Sequence, residues 1–91
     1  MTIYTLPAMA MENEFSDLVF VASYVDQLIA STGDIDYGVV FEWDDDGPGL
    51  GGPPRAFLTR QKGGWKRSVV LRTGPENDSW TLGEPEYVND H

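Results

Sequence analysis

The sequence predicts an α+β domain in which one helix packs across a three- or four-stranded antiparallel sheet built from meander and hairpin connections. Three observations carry this expectation. Residues 14–31 place apolar side chains at helical spacing, residues 37–43 alternate strictly, and two strand-like runs flank Lys62-Gly63-Gly64. The first pattern has the 3.6-residue period of a helix, the second the two-residue period of a strand, and the third is a hairpin turn signal.

Taken in order, Ile3-Tyr4-Thr5-Leu6 reads as a short strand ahead of Pro7. A helix is expected over 14–31, with Asn13 as its N-cap and Glu14 and Asp17 at the positive end of its dipole. Gly33 supplies the stop. Phe15, Leu18, Val19, Ala22, Val25 and Ile29 form the main apolar stripe, widened by Val21 and Leu28. Phe20 and Tyr24 lie four residues apart, off that stripe. A helix apolar on both sides is one that is covered on both, here by another segment or by a second chain.

In the run 37–43, Tyr37, Val39, Phe41 and Trp43 share one face, and Gly38, Val40 and Glu42 share the other. Residues 44–54 hold four glycines and three prolines, so no strand continues through them, and a long irregular loop is expected. The hairpin follows, over 55–61 and 65–72. Gly74-Pro75 breaks the chain, Trp80–Leu82 is a further short strand, and Tyr87–Val88 is a candidate for another. There is no internal repeat, and 91 residues make one domain, 1–91.

Charge is divided along the chain. Residues 1–46 carry ten acids and no base, 55–72 carry all six bases and no acid, and 76–91 carry five acids and no base. The net charge is −9 and the isoelectric point about 4.2. Segregation of this kind concerns partners or internal pairing, not fold. Net repulsion opposes a nucleic-acid backbone laid along the whole molecule. With no cysteine, neither a disulfide nor a thiolate metal cage can form. The amino-terminal stretch lacks the basic and apolar regions of a secretory signal. The longest apolar run, Leu18–Ala22, is far too short to span a bilayer. A cytoplasmic protein is expected, without membrane contact.

The residue types point away from catalysis. His91 is the one histidine and the last residue, which removes Ser-His-Asp and Cys-His arrangements. Asp44-Asp45-Asp46 are consecutive, whereas calcium loops alternate their ligands so that they converge. The GPGLGG run at 47–52 has prolines where a phosphate cradle needs N–H donors, and it leads into a strand. Fifteen acids make some close carboxylate pair inevitable, so such a pair carries no specificity for glycosidase-type chemistry. No enzyme activity, cofactor or metal is expected.

Binding is the better expectation. Glu42, Asp44, Asp45 and Asp46 form an acidic patch suited to a protein partner with a basic surface, and Phe20, Tyr24 and Trp43 are candidate apolar anchors. The alternative surface is the basic hairpin, where Arg60, Lys62, Lys66 and Arg67 sit beside Trp65 and could touch phosphates while a base stacks. Its competing explanation is that these bases pair with the acidic helix and tail. A third arrangement is a homodimer through the second helix face. The closing SWTLGEPEYVND (79–90) resembles the last stretch of some small immunity proteins that neutralise deaminase toxins. The leading expectation is a non-enzymatic inhibitor that docks on a basic, nucleic-acid-handling protein, in the manner of phage anti-CRISPR proteins. Immunity against a toxin is the related alternative.

Overall fold

The computed structural model describes residues 2–9, 14–45, 47, 52–73 and 79–89. Their elements are β1 (Ile3–Thr5), α1 (Leu18–Thr32), a 3₁₀ turn (Ile35–Gly38), β2 (Val39–Trp43), β3 (Ala56–Gln61), β4 (Gly64–Arg72), β5 (Trp80–Leu82) and β6 (Glu86–Asn89). The architecture is one helix against an antiparallel sheet, as the periodicities predict. The sheet has six strands, more than the three or four expected. Its order is β1-β2-β3-β4-β5, and β6 also pairs with β4. The extra width arises because the outer edge of β4 is shared: residues 64–67 pair with β6, and residues 70–72 pair with β5. Nine residues of strand can hold two short partners end to end.

The helix begins later than the apolar pattern suggests. Phe15 does not enter its first turn, because Tyr4 and Phe15 exchange backbone hydrogen bonds at 2.7 and 2.9 Å in an isolated antiparallel bridge. Asp17, not Asn13, is the N-cap: its Oδ1 accepts from the Val19 N–H at 3.0 Å. Asn13 lies outside the described residues, as do Asp46, Gly74, Pro75 and His91. Gly33 ends the helix as expected, in the left-handed region at φ 73°, donating its N–H to the Ile29 carbonyl at 2.8 Å.

This start sets the rotation of the helix. Val21, Ala22 and Val25 are buried, and Leu18, Tyr24, Leu28 and Ile29 pack around the core. Val19, placed by the sequence pattern in the buried stripe, is 62% exposed. The inward residues 18, 21, 22, 25, 28 and 29 repeat at three and four, and Val19 stands off that seam. The remaining core comes from Leu6, Val40, Ala56, Leu58 and the fully enclosed Trp65.

Register decides which side of each strand meets α1. Leu58 stands opposite both Val40 and Arg67, and Trp65 opposite both Arg60 and Val88. These residues share the helix side. Val39, Phe41, Trp43 and Phe57 therefore point to the other side, where no second layer stands among the described residues. Gly64 lets β6 close on β4, since a Cβ there would collide with the Val88 carbonyl oxygen and the Tyr87 ring.

Candidate partner-docking site

Glu42 does not belong to an outward acidic patch. Strand alternation turns it to the helix side, where only 5% of it is exposed. Its Oε1 accepts from Arg67 Nε at 3.0 Å, and its Oε2 accepts from Arg67 Nη2 at 2.7 Å and Arg55 Nε at 2.9 Å. Burial pushes this carboxyl up, but the hydrogen bonds from Arg67 and Arg55 outweigh it and hold the group below the usual carboxylate range. Arg67 also reaches Glu86 at 3.1 Å, and Arg55 donates to the Thr2 hydroxyl. The network joins β2, β4 and β6 to the segment before β3.

The basic hairpin is split by the same alternation. Arg60 and Arg67 turn to the helix side, whereas Lys66 turns to the open side and Lys62 sits in the turn. Arg60 grips Asp26 of α1 with two hydrogen bonds of 2.9 Å, donates to the Gly64 carbonyl at 2.8 Å, and lies 5.0 Å over the Trp65 ring. Arg60 and Arg67 thus tie the sheet to the helix and to β6. The four bases Arg60, Lys62, Lys66 and Arg67 do not form one phosphate-binding face.

What the structure does bring together lies at the β1 edge. The strand β2 leaves the sheet through a tight turn in which the Gly47 N–H bonds to the Asp44 carbonyl at 3.0 Å, with Gly47 in the left-handed region at φ 63°. This turn exposes the side chains of Asp44 and Asp45. It also carries the backbone of Gly47 to the Glu14 carboxylate, whose Oε1 lies 3.1 Å from where a Cβ on that glycine would stand. Glu14 adjoins Phe15, whose ring centroid is 5.7 Å from Phe20 and 5.7 Å from Tyr24, while Phe20 and Tyr24 stack at 6.3 Å. Phe20 is 54% exposed and Tyr24 half-buried against the core.

An aromatic cluster with one largely exposed ring therefore stands beside Glu14, the N-cap Asp17 and the Asp44–Asp45 turn. Glu14 and Phe15 join the candidate site only through folding. In sequence, Phe15 reads as a helix-stripe residue, and nothing local shows that it would pair with Tyr4 instead. Trp43 does not join this site. Its side chain lies on the open face, with Nε1 donating to the Thr5 hydroxyl at 2.9 Å.

Among the described residues, no group of three or more His, Asp or Glu side chains is placed to hold a metal ion, and no helix is long and apolar enough to cross a membrane. Comparison with protein-family models, with curated proteins and with solved structures returns no match.

Proposed function

We propose that this chain is a non-enzymatic inhibitor, acting in the cytoplasm, that docks its acidic β1 edge on a basic, nucleic-acid-handling protein. The observation that carries this reading is the juxtaposition at that edge. Phe20 offers an exposed ring, Phe15 and Tyr24 back it, Glu14 and Asp17 flank Phe15 in the chain, and the Glu14 carboxylate meets the turn that holds Asp44 and Asp45. An apolar anchor ringed by charge is the usual composition of a binding hot spot, and like-signed rim charges raise the association rate with an oppositely charged partner. Internal pairing supports the same reading. Arg55, Arg60 and Arg67 are matched against Glu42, Asp26 and Glu86, so these bases do not form a basic face that would compete with an acidic one. Neutralisation of a toxin by an immunity protein uses the same physics with a different target.

Affinity capture from host lysate, with and without nuclease, provides the partner for the test. One stoichiometric protein retained after nuclease treatment is expected. Replacing Asp44, Asp45 and Asp46 together by Asn is then expected to slow association about tenfold or more at low salt and to flatten its salt dependence. Phe20→Ala is expected to speed dissociation. Unchanged kinetics in both variants, or capture that vanishes with nuclease, would remove the proposal.

A further inference from the structure

β5 and β6 lie end to end on one edge of β4 and behave as two halves of a single strand, with one residue too many between them. From the Val70–Leu82 pair to the Arg67–Glu86 pair, the chain advances three residues on β4 and four on the edge. The Gly83 N–H donates to the Val69 carbonyl at 2.8 Å, which leaves Glu84 and Pro85 together opposite Ser68. Two residues facing one make a β-bulge. Both of them are exposed.

The bulge changes the phase of the backbone. In an antiparallel ladder, successive residues turn their N–H and C=O groups first toward one neighbour and then toward the other. Val70 donates to Arg55 on the β3 side, whereas Val69 accepts from Gly83 and Thr73 donates to Ser79 on the far side. Odd-numbered residues of β4 therefore bond to the edge, through Thr81, Glu86 and Val88. Trp80 and Leu82 turn their backbone groups outward, as do Tyr87 and Asn89, and the interval from Leu82 to Tyr87 is odd. A regular incoming strand pairs with every second residue, so it can match β5 or β6 and never both. Pro85, between them, has no N–H to offer. The opposite edge of the sheet is closed by other means. Within β1, Tyr4 is the residue whose backbone turns outward, and Phe15 takes both groups, donating at 2.9 Å and accepting at 2.7 Å.

We infer that both edges of this sheet are closed to strand addition, β1 by the Phe15 bridge and the β5–β6 edge by the bulge at Glu84-Pro85. The need for the second closure lies in the side chains along it. Trp80, Leu82 and Tyr87 are 42%, 47% and 56% exposed. An apolar edge strand with free backbone groups is a template on which other chains can pair. Among the described residues, no strand covers this edge. The bulge divides the template into runs of three and four residues, each too short to hold an incoming strand. Recognition by this chain is thereby left to side chains rather than to a shared sheet.

Deleting Pro85 removes the extra residue and keeps every β4 pair in register, while Trp80, Leu82, Glu84, Tyr87 and Asn89 come into one alternating phase. Sedimentation velocity from micromolar to near-millimolar concentration, in about 500 mM salt to screen the net charge, compares this variant with the wild-type chain. The expected result is association of the deletion variant beyond that of the wild type, with circular dichroism kept and with the Leu82 and Tyr87 amides newly protected. Pro85→Val, which restores an N–H but retains the extra residue, is expected to match the wild type. In the wild-type chain, hydrogen exchange is expected to be at least about tenfold faster at Leu82 and Tyr87 than at Thr81 and Val88. A folded deletion variant that associates no more than the wild type, or that associates without protecting those amides, overturns the inference. So does association of Pro85→Val, or protection of Leu82 and Tyr87 in the wild type. Loss of the fold on deletion of Pro85 and of Glu84 alike overturns it too, by showing that the bulge serves the chain's own folding.

Discussion

Glu42 is the residue on which the ion-pair network turns. Two guanidinium groups share its carboxylate in a largely enclosed site, so its removal leaves both without their anion. Breaking a buried pair from one side typically costs about 3–5 kcal/mol. Glu42→Gln is expected to lower unfolding free energy by about 3 kcal/mol in urea titration, a large fraction of what a chain of this size holds. Its titration has a definite sign. Because the folded-state pKa lies below the unfolded value, the stability that Glu42 contributes is present above the unfolded carboxyl range and lost as pH falls through the folded pKa. Asp26, held down by its hydrogen bond from Arg60, acts in the same direction. Melting temperatures measured from pH 7 down to about pH 3 are expected to fall steeply below about pH 4.5, and less steeply in Glu42→Gln. Equal slopes in the two proteins would show that Glu42 is not the titrating group.

Among the elements, β4 carries the most, bonding to β3 on one edge and to β5 and β6 on the other. Gly64 is where β6 comes closest. Gly64→Ala is expected to cost about 1–3 kcal/mol and to release β6 first, since the obstruction is the Val88 carbonyl and cannot be cleared by a rotamer change. Hydrogen exchange would show faster amides over residues 86–89 while α1 keeps its protection. Uniform acceleration of both would mean that β6 and the helix open as one unit. The helix, for its part, owes its phase to Asp17 and to the Tyr4–Phe15 bridge. That bridge is a long-range contact, which is why the apolar pattern alone starts the helix four residues early and turns Val19 inward. The hairpin, its turn at Lys62-Gly63 and the stop at Gly33 were legible because each is specified by neighbours in sequence.

For the whole molecule, the division of charge along the sequence acquires two meanings in three dimensions. Part of it is internal: Arg60 reaches the acidic helix and Arg67 the tail strand, the pairing weighed in the sequence as the alternative to a basic docking face. Another part, Glu14, Asp17, Asp44 and Asp45, lies near the β1 edge, with Glu14 meeting the Gly47 turn and Phe15 touching Phe20.

By itself, the sequence determined the α+β class, the hairpin and the acidic character, because period, turn residues and charge are local properties. It also made Phe20 and Tyr24 conspicuous as aromatics outside the main stripe. Tertiary structure decided which face of each strand meets the helix, since alternation divides a strand into two faces without saying which is inside. That choice buried Glu42, separated Arg60 from Lys66, sent Trp43 to the open side, and brought Glu14 and Phe15 to the acidic turn. Each of these outcomes depends on register between strands distant in the chain, and register is an energy of pairing that no single segment contains.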